Sequence, residues 1–132
     1  MRQTLQHILA EAKSRIAEID AARLRSLQSH GAPVIDVREP AEFAAGHIPG
    51  AVNIPRGVLE FEVDGHPAVN GTRDPALAHR DRPVVVYCRS GGRSALAAEA
   101  LARLGFAEPV SLAGGFQAWV EQGGATAPGA GA

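Results

Sequence analysis

Hydrophobic residues recur along this chain with two different periods, and the switching between them predicts its elements. Leu5, Ile8, Leu9, Ala12, Ile16 and Ile19 fall at three- and four-residue steps. That spacing lines up one face of an amphipathic helix, predicted here over residues from about 3 to 18. The stripe needs an apolar partner; the body of the same domain is the expected one, with a dimer contact or another protein as the alternative. Asp20 stands where an N-cap belongs, opening a short helix through Leu24 and Leu27 that His30-Gly31-Ala32-Pro33 breaks.

Strand patterns follow. Val34-Ile35-Asp36-Val37 ends in the polar pair Arg38-Glu39, and Pro40 at a first-turn position starts a short helix through Phe43 that Gly46 closes. Ala51-Val52-Asn53-Ile54 reads as another short strand. Residues 56–82 are expected to be mostly loop and short helix, with turns at Asp64-Gly65 and Asn70-Gly71 and a capped start at Asp74-Pro75. Val84-Val85-Val86-Tyr87 is a continuous apolar run, the form taken by a strand covered on both faces of a parallel sheet. A helix is predicted from Ser94 to Leu104, ended by Gly105, then a strand at Val110-Ser111-Leu112. Gly114-Gly115 marks a turn before a last helix, Phe116 to Glu121, whose Phe116 and Trp119 are expected in the core. From Gly123 onward the chain is Gly, Ala and Pro with almost nothing to bury, and a disordered tail over 123–132 is expected. Strands alternating with helices define an α/β layered class with a mainly parallel sheet. The organisation read from the sequence is an N-terminal helix over 1–19, one domain over 20–122, and the tail.

Composition narrows the function classes. With 132 residues, 45% of them hydrophobic, the chain fits one domain with one core. Its 13 basic and 14 acidic residues nearly cancel, so net charge argues for neither nucleic acid nor an anionic membrane as partner. The longest apolar run is far short of the roughly 18 residues of a membrane span, and the first residues lack the apolar core of a signal segment. A single cysteine cannot form an internal disulfide. A cytoplasmic, reducing location is therefore expected. His7, His30, His66 and His79 are scattered without metal-ligand spacing, so neither a metal nor another cofactor is expected.

The candidate chemistry sits at that cysteine. A lone free cysteine is most often a small buried hydrophobe, which predicts apolar neighbours on both sides. Cys88 has them on one side only: the buried-looking strand ends there and Arg89-Ser90-Gly91-Gly92-Arg93-Ser94 follows, a glycine-bearing turn opening a helix. Turn N–H groups, the positive end of the helix dipole and two arginines all favour negative charge, so the setting favours the thiolate. It also lies at the carboxyl end of a strand, where open α/β sheets bind ligands. Gly91 and Gly92 suit a tight cradle of inward N–H groups, and an ordinary turn predicts the same glycines. Arg93 is expected to face an anionic substrate and Arg89 to face solvent. Ser90 and Ser94 are candidate donors to the anion, and Ser94 is also a candidate helix N-cap. Asp36 and Arg38, at a strand's end, are expected to pair and hold loops together.

Three motifs then carry a resemblance. Asp36-Val37-Arg38-Glu39-Pro40-Ala41-Glu42-Phe43 with Gly46-His47-Ile48-Pro49-Gly50-Ala51, the Cys88 to Ser94 segment, and Leu112-Ala113-Gly114-Gly115-Phe116-Gln117-Ala118-Trp119 resemble a single-domain rhodanese in order and spacing across residues 34–120. The resemblance implies a five-stranded parallel sheet between helices and a sulfurtransferase that passes a sulfane sulfur through a cysteine persulfide. Cys88 takes the place of the sulfur carrier, with Arg89 to Arg93 completing its six-residue loop. His47, in the first motif, is read as structural, because a loop that already stabilises the thiolate needs no base. The implied substrates are a small anionic sulfur donor such as thiosulfate and a thiol or cyanide acceptor, or a protein sulfur donor or acceptor. A monomer or weak homodimer is expected.

Two rival functions come from different classes. A cysteine phosphatase or arsenate reductase would place its arginine six positions after the cysteine, to hold a tetrahedral anion; here Arg93 comes five after Cys88 and Ser94 stands at six. A non-enzymatic protein-binding or sulfur-relay module is the other. The reactive-looking Cys88 loop counts against pure binding.

Overall fold

β4, Pro83–Tyr87, runs through the middle of the molecule because Val84, Val85, Val86 and Tyr87 are apolar on both sides of the strand and all four are buried. It belongs to a computed structural model that describes residues 2–69, 71 and 74–129. The described chain runs α1 (Leu5–Arg15), β1 (Ala17–Ile19), α2 (Ala21–Ser29), β2 (Val34–Asp36), α3 (Pro40–Ala45), β3 (Val52–Asn53), α4 (Leu59–Asp64), β4, α5 (Gly92–Arg103), β5 (Glu108–Leu112) and α6 (Gly115–Glu121). The five strands form one sheet in the order β1-β5-β4-β2-β3, and every neighbouring pair is parallel. Residues 56–82 hold α4 and short 3-10 turns at Arg56–Val58, Pro67–Val69 and Pro75–Leu77. The Asn70 half of the expected Asn70-Gly71 turn lies outside the described residues.

Strand alternation sorts the core into two layers. Val84, Val86 and Cys88 face α4 and α5 with Leu59, Val63, Ala97, Ala98 and Leu101. Val85 and Tyr87 face the other way, against α2, α3 and α6, with Leu24, Leu27, Phe43, Val110, Leu112 and Trp119. Fully burying a valine such as Val86 stabilises the fold by about 1.5–3 kcal/mol. Local signals fix the helix starts. The Asp20 side chain accepts from the Arg23 N–H at 2.8 Å, and Glu39 and Glu42 form a capping box around Pro40.

Three boundaries differ from the sequence expectation. The N-terminal helix ends at Arg15, and Ala17–Ile19, read as its continuation, is instead the edge strand β1, in register with Val110–Leu112. Ile16 and Ile19 continue the three- and four-residue spacing by coincidence: Ile16 packs into the α4 and α5 layer and Ile19 into the opposite one. The 1–19 segment therefore contributes a strand to the sheet as well as a helix. The helix stripe does cover the domain body, since Ala12 is buried, Leu9 lies beside Gly92, and Arg15 reaches Glu99 at 3.0 Å; Leu5 and Ile8 stay exposed. Second, α5 begins at Gly92 with Gly91 as its N-cap, so Ser94 lies inside the first turn and is not the cap.

Third, residues 123–129, expected without structure, lie back on the domain. The Trp119 indole N–H donates to the Ala125 carbonyl at 2.7 Å, and His47 and Ala127 exchange two backbone hydrogen bonds at 2.9 Å each. Backbone pairing and one indole donor anchor this segment where apolar burial does not. Residues 130–132 lie outside the described residues. No helix among the described residues is long and apolar enough to cross a membrane.

Candidate active site

Cys88 follows β4 directly and α5 starts four residues later, so its sulfur sits at the carboxyl end of a central strand and at the amino end of a 12-residue helix. Two backbone donors converge on Sγ, the Gly91 N–H at 3.1 Å and the Ser94 N–H at 3.4 Å, and the Ser94 hydroxyl stands 3.4 Å from it. Donors aimed at a sulfur, backed by the helix dipole, stabilise negative charge on it. Gly91 makes the turn with φ +114°, a conformation that a side chain disfavours, whereas Gly92 is ordinary helix and its α-carbon faces Leu9 of α1. Cys88 is 1% exposed, so its sulfur lies at the bottom of the loop.

The loop is held from behind by α6. The Phe116 N–H donates to the Cys88 carbonyl at 2.8 Å and the Gln117 N–H to the Arg89 carbonyl at 3.0 Å. These are first-turn N–H groups of α6, which have no partner within their own helix. In a trans peptide the carbonyl and the next N–H point in opposite directions, so pinning these carbonyls to α6 turns the Arg89 and Ser90 N–H groups away from it. The approach is close because residue 115 is glycine. A Cβ there would stand 2.5 Å from the Cys88 carbonyl oxygen and 2.6 Å from that of Arg89.

The charged residues pair off. Arg38 and Asp36 form a buried ion pair, with Nη2 at 2.7 Å from Oδ2 and Nε at 3.0 Å from both oxygens, and Nη2 also donates to the Gly46 carbonyl at 2.7 Å. Burial alone would lower the Arg38 pKa, but hydrogen bonding and the charge of Asp36 outweigh it and raise it. The guanidinium lies 4.5 Å from the Phe116 ring centre. Burial, reinforced by the nearby Asp36 charge, pushes the Tyr87 hydroxyl far above its usual range, so it stays neutral and accepts from the Ile48 N–H at 3.0 Å. His47 is buried, stacked on Phe43 and within 2.9 Å of the Phe43 carbonyl through Nδ1.

Arg93 departs from expectation. Its guanidinium makes two hydrogen bonds to Glu42, at 2.8 and 3.2 Å, so its charge is engaged by a carboxylate and does not stand free for an anion. Those hydrogen bonds pull the Glu42 pKa from 4.5 down to about 2, although partial burial works the other way. A depressed carboxylate stabilises the fold above its unfolded value and loses that contribution as pH falls through the folded one. Glu42→Gln is therefore expected to flatten the pH dependence of stability between about 4.5 and 2 in acid-range denaturation curves, leaving neutral pH with only a small change because the pair is partly exposed.

The structure thus gathers Cys88, Gly91 and Ser94 around one sulfur, keeps Arg89 and Ser90 exposed on the loop's outer side, and places Arg93, Asp36 and Arg38 in ion pairs. Phe116, expected in the core, is only partly buried; with Arg38, Glu42, Arg89 and Val120 it lines an open cleft of about 530 Å³ beside the loop. Sequence reasoning missed Gly115 as a close-approach glycine, and it missed Ser111, whose hydroxyl stands 2.8 Å from that of Ser94. Double glycine ahead of a helix was the only available signal for the first. Among the described residues no group of three or more His, Cys, Asp or Glu is placed to hold a metal.

A cysteine seated in a cradle of donors at the end of a central parallel strand defines an α/β protein built for nucleophilic cysteine chemistry on a small group. Residues 20–122 match the family model described as the rhodanese-like domain, and the chain belongs to that family. It is 37% identical over 97 residues to the thiosulfate sulfurtransferase GlpE of Pseudomonas aeruginosa, covering 74% of this chain and 77% of that protein. A sulfurtransferase of Allochromatium vinosum is 34% identical over 110 residues, covering 82% of this chain and 92% of that protein. Among solved structures, a Rhodopseudomonas palustris protein of unknown function, described as a possible tyrosine phosphatase, superposes with a TM-score of 0.82 at 34% identity over 96% of each chain. The human single-domain sulfurtransferase TSTD1 does so at 0.68 and 32% identity, over 80% of this chain and 96% of that one.

Proposed function

We infer that this chain is a sulfurtransferase that takes the sulfane sulfur of thiosulfate, or of a persulfide donor, onto Cys88 and passes it to a thiol or cyanide. The observation that carries the reading is the Cys88 sulfur at the end of β4, met by the Gly91 and Ser94 N–H groups and by the Ser94 hydroxyl of its own loop and the first turn of α5. The similarity to thiosulfate sulfurtransferases supports the choice of donor.

The chemistry needs few parts. The Cys88 thiolate attacks the outer sulfur of thiosulfate; an S–S bond forms, the sulfur–sulfur bond of thiosulfate breaks, and sulfite leaves with the electron pair. The persulfide carries one negative charge on its outer sulfur. N–H groups of the loop and the amino end of α5 offset that charge as it forms. Cyanide or a thiolate then attacks the outer sulfur, and Cys88 leaves as thiolate, ready for another cycle. Asp36, Arg38, Glu42 and Arg93 support the loop walls through their ion pairs, and Arg89 and Ser90, exposed on the loop, are accessible to an incoming donor. Neither nucleic acid nor cofactor enters this scheme. A cytoplasmic monomer or weak homodimer with small-molecule or protein thiol partners fits it.

Intact mass spectrometry tests the reading. Thiosulfate is expected to add one sulfur atom to the purified protein and cyanide to remove it, with thiocyanate formed in parallel. A folded protein with a titratable thiol that gains no sulfur from thiosulfate or from a small persulfide would overturn it.

The phosphatase reading has one observation in its favour, the likeness to the Rhodopseudomonas palustris structure. The loop speaks against it, because Arg93 lies five positions after Cys88 and is tied to Glu42. No measurable hydrolysis of p-nitrophenyl phosphate is expected under conditions where sulfur transfer is readily followed.

A further inference from the structure

The Ser94 hydroxyl sits among three partners that compete for it. It lies 3.4 Å from the Cys88 sulfur, 3.3 Å from the Gly91 carbonyl and 2.8 Å from the Ser111 hydroxyl, and it has one proton to give. Ser94 and Ser111 are both wholly buried. Ser111 lies on β5 opposite Val86 of β4, and alternation turns its side chain toward the same face of the sheet as Cys88.

Hydrogen-bond accounting then fixes the direction of the chain. Among the described residues the Ser111 hydroxyl has one partner, Ser94. If Ser94 gave its proton to Ser111, the Ser111 proton would be buried with no acceptor, an arrangement that protein interiors avoid. If Ser111 donates to Ser94, every proton has an acceptor, and the Ser94 proton is left to choose between the Gly91 carbonyl, at 3.3 Å long for an O–H···O bond, and the sulfur, at 3.4 Å within ordinary reach of that larger atom. A hydroxyl that accepts one hydrogen bond is also a stronger donor in its own.

We propose that Ser111 is a positioning residue for sulfur transfer: by donating to Ser94 it points the Ser94 hydroxyl at the Cys88 sulfur and strengthens that contact. The inference rests on Cys88 being the sulfur carrier. Ser111 touches neither donor nor acceptor; its effect passes wholly through Ser94.

Because Cys88 is the only cysteine, its reactivity can be followed directly by alkylation with iodoacetamide, beside steady-state sulfur transfer from thiosulfate to cyanide. Ser111→Ala is expected to slow alkylation and kcat by about five-fold each, the size of one ordinary hydrogen bond, with KM for thiosulfate nearly unchanged. Ser111→Thr and Ser111→Val have almost the same volume and both suit a strand, so they separate the hydroxyl from packing. Thr is expected near the wild-type rates and Val near those of Ala. Folded Ala and Val variants with wild-type alkylation and turnover would overturn the proposal, as would a Thr variant as slow as Val. If the wild-type protein alkylates but takes up no sulfur, the sulfurtransferase reading fails while the alkylation comparison still decides the role of Ser111.

Discussion

Cys88→Ser is expected to abolish sulfur transfer, by on the order of a thousand-fold or more, while leaving the fold intact. The hydroxyl is not a comparable nucleophile, since an alkoxide is scarcely accessible near neutral pH where a thiolate is, and oxygen cannot form the persulfide that carries the sulfur. The fold survives because the substitution is nearly isosteric at a buried position that already offers two N–H donors, those of Gly91 and Ser94, and the nearby Ser94 hydroxyl to whatever atom stands there. Thiocyanate production and a thermal melt followed by circular dichroism check the two halves. Turnover persisting in a folded variant would mean that sulfur travels by another route.

Gly115→Ala should damage both the fold and the candidate site. Residue 115 has φ +60°, which costs a non-glycine residue about 1–2 kcal/mol, and the new methyl would meet two backbone oxygens within 2.6 Å. Backbone atoms cannot step aside as a flexible side chain can. Relief therefore requires α6 to retreat from the Cys88 loop, at the cost of the hydrogen bonds from Phe116 and Gln117 to the Cys88 and Arg89 carbonyls. We expect stability to fall by about 2 kcal/mol or more, lowering the melting temperature by several degrees. Sulfur transfer in the molecules that remain folded should drop at least about ten-fold, because the cradle is aimed by those two carbonyls. A variant with normal melting and normal kcat would show that α6 does not aim the loop.

How far these features could be read in advance depended on whether their cause was local. Asp20, Pro40 and Gly46 announced helix boundaries because caps, fixed φ and positive φ act within a few residues. The uninterrupted valine run announced β4 because a strand covered on both faces has no polar side to show. Cys88 was legible as a site because its neighbours change from apolar to glycine and arginine at a single step. The β1 strand was not, since Ala17-Glu18-Ile19 has no strand signature of its own and forms by pairing with Val110–Leu112, far along the chain. The same holds for the contact of Arg93 with Glu42, which spans 51 positions, and for the seating of the tail on His47 and Trp119. Ser94 was legible both as a candidate donor and as a candidate cap, because a serine before a helical pattern is the usual capping signal; Gly91, with φ +114°, takes the cap position, and the serine lies within 3.4 Å of the sulfur. Ser111 sat in a strand pattern where a serine reads as a neutral filler.

The depth of the Cys88 sulfur has a bearing on which product can form. A persulfide offers an attacker two electrophilic sulfurs: attack on the terminal one transfers sulfur, whereas attack on the one bonded to carbon makes a mixed disulfide and discards hydrosulfide. With Cys88 only 1% exposed and its sulfur met by the N–H groups of its own loop, a nucleophile approaching the proposed persulfide is expected to meet the terminal atom first. In the proposed cycle burial would work as a regioselectivity filter, keeping Cys88 out of a dead-end disulfide without the help of a second cysteine.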